Sequence, residues 1–295
     1  MDGLDQGRAG KELNMAEKRD ALNAEDMEAF SPTGKVGLVA ALNDAGEPHV
    51  ALLSSLMARG PKEIVIGEFS RGLSKEYMQR TRRIGFLVMG LDLRLWRGGA
   101  VWTRLAHEGA EYVEYNRKPM FRYNTYFGIN TVHYLDLAGV EGPQKLPMAG
   151  VVCASMSTML LGAGRGLRSE TPALSHYGRR IIDALASLNF LAYVDGSGFP
   201  RLIPVLQART AGPGRLVFSP GPFRAEVAAV PDGVRVSLFS MNLSMESVLC
   251  FGGYAAPGRG RGPLARIDID RVYNSMPTCH GQVFPARPIA AFQEA

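Results

Sequence analysis

Short apolar runs alternate with turn residues along this chain of 295 residues, and the same order of runs occurs twice. Residues 38–50 read LVAALNDAGEPHV and residues 190–202 read FLAYVDGSGFPRL. Both segments contain an apolar run, an Asp, a Gly and a Pro two residues after that Gly. Because Asn, Asp and Gly tolerate the positive φ angles of tight turns, each segment predicts a β-hairpin.

The repeat continues beyond these hairpins. Gly46 with Gly198 and Pro48 with Pro200 give one constant offset, and further landmarks follow in the same order. They are 64–66 opposite 216–218, 84–89 opposite 234–239 after a small slip, 99–100 opposite 252–253, and 134–140 opposite 266–272. Ordered landmarks in both halves indicate an internal duplication.

Short strands with hairpin turns and one crossover helix predict an antiparallel β-barrel in each half. The fold class is therefore mainly β (α+β), with two tandem barrels that form an internal pseudo-dimer. The predicted strands are His49–Leu56, Glu63–Gly67, 83–89, 95–106 and 131–140 in the first half, and Arg201–Gln207 and Arg215–Ser219 in the second. The predicted helices are Ala16–Phe30, Leu73–Arg82 (capped by Ser70 or Ser74) and Leu174–Leu188. The predicted domains are an N-terminal helical segment 1–33, a first barrel 34–142, a linker 143–172 and a second barrel 173–295.

Composition narrows the function classes. The net charge of +5 comes from 33 basic and 28 acidic residues, which is typical of a mixed solvated surface and predicts no nucleic-acid partner. Three widely spaced cysteines without a CxxC pair predict neither a disulfide framework nor a metal site. The apolar stretch 146–164 contains Pro147, serines and glycines, so we interpret it as a buried or half-buried connector and expect a cytoplasmic protein without a membrane segment.

The ordered motifs resemble the pyridoxamine 5′-phosphate oxidase-like, FMN-binding split β-barrels. The resemblance covers about Lys35 to Trp102 and, as a barrel pattern, Asn189 to Tyr254. It implies that FMN lies between two barrels, with its phosphate held by basic and hydroxyl residues around the helix after the third strand. A fused pair of barrels would then build that interface within one chain.

The segment 69–89, FSRGLSKEYMQRTRRIGFLVM, is the predicted phosphate site. Arg71, Ser74 and Lys75 stand at the start of the predicted helix, where unpaired N–H groups and the helix dipole favour an anion. By the family pattern, Lys75 and Arg83 are the basic phosphate contacts, with Ser70 or Ser74 as the hydroxyl partner. The alternative is that these basic residues form the solvent-exposed face of a helix.

The second copy departs from this pattern. Glu226 and Val227 stand where the first copy has Ser74 and Lys75, and Pro220 and Pro222 precede them. A carboxylate repels a phosphate, so the resemblance predicts one FMN per chain, with the second barrel as a wall of the site or a purely structural unit.

The resemblance also suggests contacts to the rest of the cofactor. Ser54, Ser55, Leu56, Met57 and Trp102 are candidates for the flavin ring, and Arg122 and Tyr123 for substrate. Ordinary strand and core packing is the alternative for each of them, and His133 is either an acid/base or a structural residue.

The predicted function is an FMN-dependent oxidoreductase that transfers hydride or electrons through flavin N5 to or from a small-molecule substrate or electron donor. The alternative is a non-catalytic ligand-binding or haem-binding split barrel, for which Cys279-His280 would be the candidate haem contact. A homodimer in addition to the internal pseudo-dimer is left open.

Overall fold

The computed structural model describes residues 17–31, 33–69, 72–119, 128–162, 169–258, 262–275 and 281–286. The described residues form two eight-stranded antiparallel sheets, one in each half of the chain. The strands of the first are β1 (Lys18–Arg19), β2 (Val36–Leu42), β3 (Pro48–Leu52), β4 (Met57–Gly60), β5 (Glu63–Glu68), β6 (Arg83–Met89), β7 (Arg94–Ala106) and β8 (Thr131–Lys145). Those of the second are β9 (Leu188–Val194), β10 (Pro200–Pro204), β11 (Arg209–Thr210), β12 (Arg215–Phe218), β13 (Arg235–Met241), β14 (Ser247–Ala255), β15 (Ala265–Asn274) and β16 (Gly281–Phe284).

The two sheets have the same topology. The first has the order β3-β2-β6-β7-β8-β5-β4, with β1 on β8, and the second has the order β10-β9-β13-β14-β15-β12-β11, with β16 on β15. The helices are α1 (Ala24–Phe30), α2 (Leu73–Thr81), α3 (Ala110–Arg117), α4 (Met148–Gly162), α5 (His176–Asp183) and α6 (Arg224–Ala228). The predicted fold class, two tandem split barrels in a mainly β chain, is confirmed.

The strand pairing places the repeat in a definite register. Val39 pairs with Phe86 in the first sheet, and Leu191 pairs with Leu238 in the second, so both strands are offset by 152 residues. The predicted slip before 84–89 is therefore wrong, because β6 is equivalent to β13 residue for residue. Gly99 is likewise equivalent to Phe251 rather than Gly252, and a β-bulge follows both positions.

The halves differ in the connection between their last two long strands. β8 and β15 are offset by only 132 residues, since Leu137 and Ile269 hold equivalent positions opposite β7 and β14. The first half therefore carries 20 additional residues between these strands, and α3 lies in that connection.

Several predicted boundaries shift. β3 ends at Leu52, and a turn at Ser54–Ser55 separates it from β4, so the predicted strand His49–Leu56 is too long. β8 continues through Gly142-Pro143 and ends at Lys145. It therefore extends past residue 143, where the predicted linker begins. The connector after it contains a 15-residue helix, α4.

The barrels pack on each other through a pseudo-twofold arrangement. Residues of both halves, among them Leu38, Leu87, Phe190 and Leu238, belong to one hydrophobic core cluster. Ser237 on β13 donates to the Pro48 carbonyl at 2.6 Å. In the reciprocal position, β6 packs on β10. The predicted internal pseudo-dimer is thus one continuous packed unit.

α4 is uncharged throughout, and it packs on the second barrel. Val151, Ala154 and Thr158 are buried at helical spacing, whereas Met156 and Leu160 are exposed on the outer side. None of the described helices combines the length and apolar composition needed to cross a bilayer.

Candidate cofactor-binding site

The start of α2 faces a cleft in the first barrel. The N-cap residue is Gly72, and among the residues that the structure describes no side chain caps the helix. The predicted cap by Ser74 is therefore wrong, because Ser74 is buried within the first turn. A helix start without a side-chain acceptor leaves backbone N–H groups for another hydrogen-bond acceptor.

Lys75 follows at this helix start and is 8% exposed. Burial lowers the pKa of its ammonium group, and the nearby charge of Glu68 opposes that shift. A cation removed from water in this way is stabilised by any anion that enters the cleft.

The cleft has a volume of about 850 Å³. Its described lining comes entirely from the first barrel, with Glu68, Lys75, Arg80, His107 and Thr131 among the lining residues. The charges are balanced rather than strongly cationic, because Glu68 and the exposed Glu76 oppose the two basic groups. Arg80 is also paired with Asp44, at 2.5 Å.

A buried polar chain supports the cleft wall. The indole Nε1 of Trp102 donates to Nδ1 of His133 at 3.2 Å, and Nε2 of His133 lies 2.7 Å from Oε2 of Glu68. His133 is fully buried and Glu68 is 5% exposed. Trp102 thus contacts His133, which in turn contacts Glu68 in the cleft wall. The predicted contact of Trp102 with the flavin ring stays a prediction. Glu68 was missed from the sequence.

Arg83 is not brought to this cleft. It is exposed at the start of β6, where its guanidinium lies 5.7 Å from the Phe199 ring and Nη1 donates to the Ser197 carbonyl at 3.4 Å. At the equivalent position of the second barrel, Arg235 pairs with Glu47 of the first. The structure therefore places Arg83 in the contact between the barrels, and not beside Lys75 as the resemblance implied.

Four of the predicted ring contacts lie between β3 and the first residue of β4, at positions 54–57. The Ser55 hydroxyl donates to the Gly67 carbonyl at 2.7 Å, and the Ser54 carbonyl accepts from Lys35 Nζ at 3.2 Å. The side chains of Leu56 and Met57 are buried in core clusters, so they pack against protein. None of these four residues lines the cleft.

Some predicted site residues lie outside the described residues. They are Ser70, Arg71, Arg122, Tyr123, Cys279 and His280.

The equivalent region of the second barrel is covered. α4 packs against β12, which corresponds to residues 63–66 of β5, and against the 3-10 turn Gly221–Phe223 that precedes α6. The Thr158 hydroxyl of α4 accepts from the Ser219 backbone N–H at 2.9 Å. Val227, at the position of Lys75, is fully buried. The connector helix thus covers β12 and the turn before α6.

Glu226 serves a contact between the barrels. Its carboxylate pairs with the Arg97 guanidinium on β7, with Nη2 at 3.0 Å from Oε1. The acid that replaces a phosphate contact in the repeat pattern is therefore used to join the two halves.

Comparison with known proteins adds structural likenesses. No protein-family model and no curated protein matches the chain. An FMN-binding protein from Syntrophomonas wolfei subsp. wolfei is 16% identical and matches 38% of this chain and 78% of its own, with a TM-score of 0.33. A candidate pyridoxamine 5′-phosphate oxidase from Lactobacillus delbrueckii is 16% identical over 44% of this chain and 100% of its own, with a TM-score of 0.35. A FAD-binding protein from Mesorhizobium loti is 16% identical over 42% and 98%, with a TM-score of 0.27.

Each of these matches covers about the length of one half of this chain. With identities of 16% and TM-scores below 0.5, they assign neither a ligand nor a reaction to this chain.

Proposed function

We propose that this chain binds one FMN in the cleft at the start of α2 and acts as a flavin-dependent oxidoreductase. The observation that carries the proposal is the nearly buried Lys75 ammonium on the wall of an 850 Å³ cleft, beside a helix start without a side-chain cap. A phosphate satisfies both features, since it pairs with the cation and accepts from helix N–H groups.

The residues present fit such a cofactor. Lys75 and the first turn of α2 would hold the phosphate, and the lining towards His107 and Thr131 offers polar side chains to the remainder. FMN, when bound, supplies hydride or electron transfer at its ring. The structural likenesses include an FMN-binding and a FAD-binding protein, which is in line with a flavin cofactor.

The asymmetry of the barrels supports a stoichiometry of one. Val227 is fully buried at the position of Lys75, so the second barrel lacks the lysine on which the proposal depends. Its role is then to support the first barrel through their shared core.

The test is a titration of the apoprotein with FMN, in which the quenching of flavin fluorescence measures binding. We expect one FMN per chain, and a purified holoprotein with a flavin absorption spectrum. Lys75→Met should weaken FMN binding by about tenfold to a hundredfold, because a hydrogen bond to a charged group contributes about 1.5–3 kcal/mol. Riboflavin lacks the phosphate, so its affinity should stay unchanged.

Lys62→Met is the matched control, because Lys62 is an exposed lysine of the same barrel and pairs with Asp20. It should leave FMN binding unchanged. A wild-type protein that ignores FMN, or a Lys75→Met variant with wild-type FMN affinity, would overturn the proposal. Reduction of the bound flavin under anaerobic conditions by candidate electron donors then tests the oxidoreductase assignment.

A further inference from the structure

The Glu68 carboxylate lies in the wall of the Lys75 cleft with one of its oxygens unused. Oε2 is 2.7 Å from His133 Nε2. Oε1 is buried and has no hydrogen-bond partner among the residues that the structure describes. Buried polar atoms almost always have a partner, so an orphaned acceptor on a residue that lines a cleft points to a donor on a bound molecule.

The neighbouring side chains determine which hydrogen bond the other Glu68 oxygen makes. The Trp102 indole can only donate, so Nδ1 of His133 must accept and carries no proton. The proton of the neutral imidazole is then on Nε2, where it is donated to Glu68 Oε2. Oε2 of Glu68 thus accepts from His133, and Oε1 is the oxygen that is left without a partner among the described residues.

Glu68 also lies close to the predicted phosphate contact. Its charge acts on the Lys75 ammonium, and both residues line the same cleft. A ligand that satisfies both must carry an anionic group and, within a few atoms of it, an O–H or N–H donor. A bare phosphate meets only half of this requirement, and the carboxylate repels it.

We propose that Glu68 selects phosphate esters of polyols by accepting a hydroxyl hydrogen from the chain next to the phosphate. This inference rests on the proposed function, and the ribityl phosphate of FMN belongs to this class. The ring N–H of a flavin lies at the opposite end of the molecule from its phosphate, which favours the ribityl hydroxyls as the donors. Glu68 then acts as a specificity residue, and His133 and Trp102 position it.

The test compares FMN with an analogue whose N10 chain is an unsubstituted pentyl phosphate, so that ring and phosphate are kept and the hydroxyls are lost. We expect the wild-type apoprotein to bind FMN at least tenfold more tightly than the analogue. Glu68→Gln should reduce this ratio to about threefold or less, since a neutral amide accepts more weakly than a carboxylate. The same substitution should strengthen competition by inorganic phosphate, because it removes a negative charge.

Glu76→Gln is the control, because Glu76 is an exposed acid that lines the same cleft and loses the same charge. It should leave the ratio of FMN to analogue affinity at its wild-type value. An unchanged ratio in Glu68→Gln, with the Lys75→Met result as expected, would overturn the role of Glu68 alone. Failure of the Lys75→Met result would overturn the proposed function as well. If Glu68→Gln does not fold, the wild-type ratio decides, and a value near one refutes the inference.

Discussion

Replacing Glu226 by Ala would leave Arg97 as a buried cation without its partner. Arg97 lies on β7 of the first barrel, and Glu226 lies on α6 of the second. The Arg97 side chain is 6% exposed and that of Glu226 is 17% exposed. Nη2 of Arg97 keeps one further bond, to Oε1 of Gln144 at 2.9 Å.

The expected loss of stability is large. Removing one partner of a buried ion pair costs about 3–5 kcal/mol, because the remaining charge has lost its compensation without returning to water. Glu226 is partly exposed and Gln144 remains, so we expect about 3 kcal/mol for Glu226→Ala. The double variant Arg97→Met with Glu226→Leu should lose less stability than Arg97→Met and Glu226→Leu lose in sum when each is measured alone. The reason is that no orphaned charge is left in the double variant.

Equilibrium unfolding in urea, followed by circular dichroism and by tryptophan fluorescence, measures these changes. Both barrels contribute to one core cluster, so we expect the two probes to report one coincident transition. Glu25→Ala is the control, because Glu25 forms an exposed pair with Arg94 and should cost about 1 kcal/mol or less. A loss below 1 kcal/mol for Glu226→Ala, or additivity in the double variant, would refute this account of the interface.

Two further changes test other parts of the fold. Burial and the charge of Lys118 lower the pKa of Lys35 from 10.5 to about 8, so between these values the unfolded chain holds a proton that the folded chain has released. The stability of the wild-type protein should therefore rise with pH across this window by about 3 kcal/mol relative to that of Lys35→Met. Urea unfolding at about pH 7.0–10.5 measures both proteins, and equal pH profiles of the two would contradict the expectation. Gly85→Ala directs a Cβ into the Pro200 carbonyl of the other barrel and should cost about 1–3 kcal/mol of stability. The control is Gly253→Ala, whose Cβ meets nothing within 4 Å and which should be nearly neutral. Thermal unfolding compares the two variants, and similar melting temperatures would contradict the close approach.

The duplication and its hairpins could be predicted because they depend on local sequence. Gly46 and Gly198 have φ angles of 73° and 77°, at the positions that the repeated pattern marked. The register of β6 and β13 was misplaced because the alignment followed apolar residues. Both strands begin with Arg and end with Met, and that signal gives the observed offset.

Only part of the candidate site could be predicted from the sequence. Lys75 belongs to a local pattern, the start of a helix, and could be predicted. Glu68 could not, because an acid at a strand end reads as solvent-exposed. Its burial depends on His133, 65 residues further along the chain. The sequence does contain a signal for the role of Arg83, since Arg235 holds the same place in the second barrel, where no phosphate contact is predicted.

The contacts of Arg83 and Arg235 have a consequence for how the two halves can diverge. Equivalent arginines meet different partners, an aromatic ring at Phe199 in one case and a carboxylate at Glu47 in the other. In a homodimer every substitution appears twice, so both copies of a contact must change together. Within one polypeptide, each copy can be altered alone, so equivalent arginines can acquire different partners.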